Sequence, residues 1–161
     1  MTDITDLKAR FRDRLDDVNA GLLGLTDDLR LVPMSHQLRD GDDTFYFITA
    51  AGTDLYEAVK AAPKAAIYAL AEGGKGLYAR VEGDLAEVTD PALIEELWNF
   101  VADAWFEDGK QDDDVRILAL TPKTAGVWLT TTSGVAFLYQ IARAKITGQQ
   151  PDMGEQGTVT Y

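Results

Sequence analysis

The sequence contains no cysteine and a single histidine, His36, and these two scarcities exclude several kinds of chemistry. Without cysteine there are no disulfides, thiolate metal sites or cysteine nucleophiles, which is compatible with a reducing cytosol. One histidine excludes metal sites built on two histidines and makes any hydrolytic triad depend on His36. Ser35 and His36 are adjacent, and neighbouring side chains on a strand point to opposite faces. A structural or surface role for His36 is therefore favoured over catalysis.

Positive charge and long apolar runs are also scarce. The 161 residues carry 15 Lys and Arg against 27 Asp and Glu, which gives a net charge of −12. Binding to nucleic acid or to an anionic membrane depends largely on Lys and Arg, so neither is expected as a partner. No apolar run approaches the roughly 20 residues that cross a bilayer, and the polar segment after Met1 does not resemble a secretory signal. We therefore expect a cytoplasmic protein.

Sequence motifs for metal or phosphate binding are missing as well. The acidic run Asp112–Asp114 lacks EF-hand spacing, and Gly73–Gly76 lacks the phosphate-loop pattern and is typical of a hairpin turn. We predict no metal site, and no residue stands out as catalytic. Trp98, Trp105 and Phe106 fall on one predicted helix, where aromatic side chains are more often core or interface anchors than a ligand site.

What the sequence does contain is a series of short elements. A chain of this length can bury one hydrophobic core, and we predict one domain over residues 1–161. Apolar residues spaced three and four apart over Asp3–Val18 predict an amphipathic N-terminal helix (segment 1–20) that ends near Asn19–Gly21. β-Branched and aromatic stretches bounded by turn formers predict strands over Leu22–Leu25, Leu29–Gln37, Thr44–Ala50, Lys64–Ala71, Leu77–Val88, Val115–Leu120 and Thr124–Thr131.

Helices and turns separate these strands. Pro33 has no backbone N–H to donate to a neighbouring strand, so we predict that it lies at a sheet edge or a bulge. The order of elements lacks the regular alternation of parallel βαβ units, which predicts an α+β fold with a mainly antiparallel sheet or barrel and flanking helices. The predicted helices are Thr53–Ala62 with Thr53 as its cap, Asp90–Gly109 and Ser133–Thr147, followed by an extended tail over residues 149–161.

Several local patterns, taken in their order, resemble a known family. The most specific are Val127-Trp128 and the run Thr147-Gly148-Gln149-Gln150-Pro151-Asp152 with Gly154-Glu155 after it. Further patterns are Pro33-Met34, Phe47-Ile48-Thr49, Val81-Glu82-Gly83 and Ala104-Trp105-Phe106-Glu107-Asp108-Gly109. Together they resemble the general stress protein branch of the pyridoxamine 5′-phosphate oxidase-like family, the flavin-binding split barrels.

This resemblance implies a split β-barrel homodimer with FMN, or FAD, in a cleft between the subunits. In such proteins the strand that carries an R-P-M pattern and the turn after an F-x-T pattern approach the flavin. The cofactor-binding residues that the resemblance implies on this chain are Arg30, Val32, Met34, Ile48, Thr49, Thr53 and Trp128.

Two positions depart from the family pattern. Val32 replaces the arginine of R-P-M, and Leu55 stands about where the family often has lysine. Each charge-assisted hydrogen bond to a phosphate contributes roughly 1.5–3 kcal/mol, so losing two weakens affinity by about two to four decades. Arg30 shares a strand face with Val32 and is a candidate replacement. The alternative, which we favour, is a surface charge beside Asp27 and Asp28.

Three functions remain open at this point. The first is a flavin-binding, oxidoreductase-like stress protein, in which the flavin itself supplies the redox chemistry. The second, favoured by Val32 and Leu55, is a split barrel that has lost flavin and serves as a dimeric binding or structural protein. The third is a protein whose cleft binds another small molecule, such as haem or another flavin, with an anionic group that needs fewer contacts from cationic side chains.

Overall fold

The N-terminal helix closes one side of the fold. A computed structural model of the chain describes residues 3–98, 100–132, 134–152 and 154–161. Helix α1 (Ile4–Leu15) begins after Asp3, whose carboxylate accepts a hydrogen bond from the Thr5 amide at 3.0 Å. Leu7, Phe11 and Leu15 lie on one face and are buried. The predicted amphipathic helix is confirmed, although it ends at Leu15, before the predicted end near Asn19–Gly21.

A curled antiparallel sheet forms the body of the protein. Its order is β2–β1–β5–β6–β7–β4–β3, with β8 paired to β7, and the pairings are antiparallel. The predicted α+β split β-barrel with flanking helices is confirmed. Within the described ranges the strands are β1 (Gly21–Leu25), β2 (Asp28–Met34), β3 (His36–Gln37), β4 (Phe45–Ala50), β5 (Lys64–Glu72), β6 (Leu77–Val88), β7 (Val115–Thr130) and β8 (Gly154–Thr160).

Strand β7 is the long strand that organises the barrel. One of its edges pairs first with β4 and then with β8, and its other edge pairs with β6. The predicted break at Thr121–Lys123 is wrong, because β7 runs through it. Pro122 lies in the gap between the stretches of β7 that pair with β4 and with β8. It is next to a bulge at Lys123, the extra residue of β7 between Pro122 and Thr124, which pair with the consecutive β6 residues Gly83 and Glu82, so its missing donor is tolerated. A Cβ at Gly83 would lie 2.1 Å from the Thr121 carbonyl oxygen, which requires glycine there.

The predicted strand Leu29–Gln37 is divided in the structure. Strand β2 pairs with β1 at one end of the sheet order, whereas β3 pairs with β4 at the other end. The chain therefore passes from one edge of the curled sheet to the other between Met34 and His36. Pro33 lies in the edge strand β2, as predicted.

The helices predicted at Thr53–Ala62 and Asp90–Gly109 are shorter in the structure. Residue Trp98 is extended (ψ 135°), so the predicted continuous helix Asp90–Gly109 is wrong. The Trp98 indole donates to Asp103 at 2.8 Å and its ring centroid lies 5.7 Å from that of Phe106. A straight helix does not bring together side chains five and eight positions apart. The helices are α2 (Asp54–Val59), α3 (Pro91–Leu97), α4 (Phe100–Asp103) and α5 (Gly134–Thr147).

The C-terminal part differs in one respect from the predicted extended tail. Helix α5 is confirmed, although Ser133, its predicted first residue, lies outside the described residues. Residues 154–160 form β8 and complete the sheet beside the second half of β7. None of the helices in the described part of the chain is long and apolar enough to span a membrane.

Two buried clusters hold these elements together. The larger one fills the barrel and includes Phe11 from α1, Phe47 from β4 and Tyr68 from β5. The smaller one lies between the outer face of β4 and β7 and helix α3. Its buried members are Tyr46, Leu93, Leu97, Ile117 and Ala119.

Candidate functional site

A cavity of about 480 Å³ opens where the β2–β3 crossing, the end of β4, the start of α2 and the segment after α4 meet. This volume falls within the roughly 300–1,000 Å³ of small-molecule sites. Its larger apolar walls are Pro33, Met34, Ile48, Ala50, Trp105 and Phe106. Its polar walls are Ser35, Gln37, Thr49 and Thr53, and Ala20 and Ala102 complete the lining.

Two buried residues, Tyr68 and His36, support the backbone at the cavity residue Met34. The Tyr68 hydroxyl lies 2.9 Å from the Met34 carbonyl oxygen and 2.8 Å from His36 Nδ1. His36 Nε2 lies 3.0 Å from the Leu15 carbonyl oxygen at the end of α1. His36 is only 8% exposed, so the structural role favoured above is the one that its surroundings support.

These contacts determine the tautomer of His36. The Leu15 carbonyl can only accept, so Nε2 carries the hydrogen, and in the neutral ring Nδ1 accepts from the Tyr68 hydroxyl. Burial lowers the pKa of His36, which keeps the ring neutral near pH 7. Burial also raises the pKa of Tyr68, which keeps its hydroxyl protonated. The single Tyr68 proton therefore has two acceptors within reach, Nδ1 and the Met34 carbonyl.

The end of β4 and the start of α2 present two threonines to the cavity. Thr49 Oγ1 lies 3.3 Å from Thr53 Oγ1, and the Thr53 hydroxyl donates to the Ala50 carbonyl at 3.0 Å. Thr53 occupies the N-cap position of α2, but its side chain makes no capping hydrogen bond. The expectation that its hydroxyl caps the helix is therefore wrong, because that hydroxyl is turned back toward β4.

The structure brings four of the seven expected cofactor-binding residues together, since Met34, Ile48, Thr49 and Thr53 all line the cavity. Val32 lies on β2 with 37% of its surface exposed and is not among the lining residues. Trp128 lies on β7 opposite Tyr78 of β6, is 42% exposed, and is likewise outside this chain's cavity lining.

Arg30 lies at the margin of the site and its charge is engaged by two carboxylates. Its Nη2 lies 2.6 Å from Asp28 Oδ2, and its Nη1 lies 3.5 Å from Asp54 Oδ2. Asp54 is the first residue of α2 and follows the cavity residue Thr53. The hydrogen bond from Arg30 lowers the pKa of Asp28, and the same bond raises the pKa of Arg30. With its side chain 73% exposed, Arg30 is a surface charge beside Asp28.

Sequence reasoning missed the aromatic wall of the cavity. Trp105 was expected to be a core or interface anchor, but it is 81% exposed and lines the cavity together with Phe106. The signal available in the sequence was the pair of large aromatic side chains within an otherwise polar stretch. Ser35 and Gln37 were also missed, because their place in the cavity depends on the crossing between β2 and β3.

The lining is suited to a flat ring, and none of its described residues is an acid or a base. Among the residues that the structure describes, no Asp, Glu, Lys, Arg or His lines the cavity, and no cluster of three potential metal ligands occurs. Aromatic and thioether side chains can cover the faces of a heteroaromatic ring, and hydroxyl and amide groups can bond to its polar edge. An isoalloxazine ring fits this chemistry, whereas the described lining residues offer no cation to a phosphate.

The class of protein follows from this fold and from comparison with known families. Residues 6–152 match the family described as pyridoxamine 5′-phosphate oxidase like. The chain belongs to this family, as the order of its sequence patterns indicated.

Three solved structures give the more particular likeness. A Jannaschia sp. CCS1 protein, provisionally named general stress protein 26, is 46% identical over 99% of this chain and 100% of that one, with a TM-score of 0.90. The general stress FMN/FAD binding protein of Xanthomonas citri is 31% identical over 80% of this chain and 92% of its own, with a TM-score of 0.71. A provisionally named general stress family protein of Xanthomonas campestris pv. campestris is 31% identical over 83% and 93%, with a TM-score of 0.72. No curated protein matched the sequence significantly.

Proposed function

We propose that the cavity binds the isoalloxazine ring of a flavin and that the protein is a flavin-binding, oxidoreductase-like general stress protein. The observation that carries the proposal is an uncharged cavity walled by Trp105, Phe106 and Met34, with hydroxyl and amide groups between them. The Xanthomonas citri relative, named as an FMN/FAD binding protein, supports a flavin as the ligand, and FMN or FAD are the forms that the family implies. When bound, the flavin would supply the redox chemistry.

The residues of the chain would hold the ring and limit its contact with water. Trp105 and Phe106 would cover one part of the ring by aromatic contact, and Met34 and Ile48 would supply apolar contact at the strand wall. Thr49 and Thr53 would offer hydroxyl groups to the polar edge of the ring. The hydrogen bond between Tyr68 and the Met34 carbonyl would keep that wall in place.

The proposal is tested by the visible spectrum of the purified protein, followed by fluorescence titration of flavins. Replacing Trp105 with alanine removes an aromatic contact of about 0.5–1.5 kcal/mol and further buried area, so affinity should fall roughly tenfold. Ile4→Ala, a change at a 59% exposed position on α1, is the control and should leave affinity unchanged. Failure of the wild-type protein to bind any flavin at high micromolar concentration would reject the proposal.

We also propose that the protein is a homodimer, with α5 as part of the contact. None of the described residues of α5 is buried, and its large apolar side chains include Val135 (80% exposed), Leu138 (67%) and Tyr139 (64%). The α5 segment carries Arg143 and Lys145 but no acidic residue, in a chain whose net charge is −12. This helix therefore offers a second copy an exposed apolar surface without carboxylates, and equivalent helices suit a two-fold contact.

A second candidate function is a split barrel that binds no flavin and acts as a dimeric binding or structural protein. The observation that favours it is the missing cation in the cavity lining of the described residues. The same titration separates the two, because a colourless protein that is dimeric and binds no flavin supports this alternative. The expected cytoplasmic location stays a prediction, which cell fractionation and immunoblotting would test.

A further inference from the structure

We infer that the cavity selects an uncharged flat heteroaromatic ligand of the riboflavin class over the phosphorylated forms of the same ring. The inference rests on the proposed flavin function and specifies its ligand. It is drawn from three features of the described residues: an uncharged lining, an arginine held by two carboxylates, and the acidity of the chain as a whole.

The first feature is the composition of the cavity wall. Its polar groups, Ser35, Gln37, Thr49 and Thr53, are hydroxyls and a primary amide. Such groups can bond the hydroxyls and carbonyls of a neutral ligand in either direction. Strong phosphate binding instead takes Arg, Lys or several converging amides, and no charged side chain of the described ranges lines the cavity.

The second feature is the state of Arg30, whose guanidinium is paired with Asp54, the residue that follows the cavity residue Thr53. Both carboxylate oxygens of Asp28 lie 3.0 Å from Arg30 Nε, and Arg30 Nη2 lies 2.6 Å from Asp28 Oδ2. Asp54 Oδ2 forms a second ion pair with the same guanidinium, 3.5 Å from its Nη1. One positive charge is thus shared by two negative ones, and this group of three carries a net charge of −1 beside Thr53.

The third feature is the acidity around this group. Helix α2 has Asp54 and Glu57 in its first turn, and the Glu57 carboxylate is paired with Lys60. The net charge of the whole chain is −12. A phosphate monoester brings between one and two further negative charges at pH 7, and nearby like charges oppose it. Riboflavin carries the same ring without that charge.

Fluorescence titrations of riboflavin and FMN test this selection directly. The wild-type protein should bind riboflavin at least about tenfold more tightly than FMN at low salt, and the difference should shrink between about 25 and 300 mM NaCl as the charges are screened. Asp54→Asn should improve FMN affinity and leave riboflavin affinity unchanged. The matched control is Asp27→Asn, which removes an equal charge from the turn before β2 without altering either ion pair of Arg30.

Each outcome decides one part of the inference. FMN binding as tight as riboflavin binding would overturn the selection while leaving the proposed flavin function intact. Equal effects of Asp27→Asn and Asp54→Asn would overturn the role of Asp54, because the charge effect would then be general. Binding of neither flavin would overturn the proposed function and this inference with it.

Discussion

His36 connects the N-terminal helix to the cavity wall through its two ring nitrogens. Nε2 donates to the Leu15 carbonyl at 3.0 Å, and Nδ1 lies 2.8 Å from the Tyr68 hydroxyl, which in turn reaches the Met34 carbonyl. Protonation of Nδ1 would turn an acceptor into a second donor and would place a charge in a buried site. The folded protein is therefore more stable when His36 is neutral than when it is protonated.

This arrangement predicts a pH dependence of stability. Burial lowers the pKa of His36 in the folded state below its ordinary 6.5. At pH values between the pKa of His36 in the folded chain and its pKa in the unfolded chain, the unfolded chain binds a proton that the folded chain does not. The free energy of unfolding should therefore fall as the pH falls below about 6.5. The slope is at most about 1.4 kcal/mol per pH unit for one proton.

Urea unfolding between about pH 7.5 and 5 measures this slope, with His36→Gln as the variant that cannot titrate there. The wild-type protein should lose stability toward pH 5 relative to the variant. Asp28, Asp42 and Glu57 also have lowered pKa values, but their ordinary values of 3.8 to 4.5 put their loss of stability at lower pH. Parallel pH profiles for the two proteins would contradict the role of His36.

Single residues also show where the sequence was informative about the site. Met34, Ile48, Thr49 and Thr53 came from short family-like patterns whose backbone position places them at the cavity. Trp105 could not be predicted in the same way, because an aromatic side chain on a presumed helix suggests a core position. Its place in the cavity wall depends on the helix stopping at Leu97, a tertiary effect outside the periodicity of the sequence.

At the scale of elements, the short antiparallel strands were predictable and their connections were not. Stretches rich in β-branched and aromatic residues predicted β5 and β6 with nearly their observed bounds, and apolar residues alternate with polar ones along β6. The continuity of β7 through Pro122 was not predictable, because it requires a bulge at Lys123 of β7 and the gap between β4 and β8. The polar segment of β8 carries almost no hydrophobic pattern, and its pairing with β7 gives it strand structure.

Helix α5 yields a prediction about assembly at this same scale. Leu138→Glu places a charge within the exposed apolar surface of α5, so a dimer that buries this helix should dissociate, because burying an unpaired charge is unfavourable. Size-exclusion chromatography with light scattering measures the change. Ile4→Glu introduces the same charge at a 59% exposed position on α1 and should leave the dimer intact. A wild-type monomer, or a Leu138→Glu dimer, would contradict the proposed contact.

At the scale of the whole molecule, one buried cluster joins the two ends of the chain. It contains Leu7 and Phe11 of α1, residues of the central strands, and Val159 of β8. Arg10 of α1 also binds Glu155 of β8, with Nη2 and Oε2 2.5 Å apart. The helix and the last strand therefore close the barrel together, and both depend on the same core.

This shared core leads us to expect that residues 1–161 unfold as one cooperative unit. Phe11 is 1% exposed, so Phe11→Ala should lower the free energy of unfolding by about 3–5 kcal/mol. Ile4→Ala, at an exposed position of the same helix, should change it by less than about 0.5 kcal/mol. Far-ultraviolet circular dichroism and tryptophan fluorescence should report the same shifted midpoint, because Trp98, Trp105 and Trp128 lie outside α1 but depend on the same barrel. If Phe11→Ala moved the circular dichroism transition and left the tryptophan transition in place, α1 would unfold separately and the one-domain prediction would be wrong.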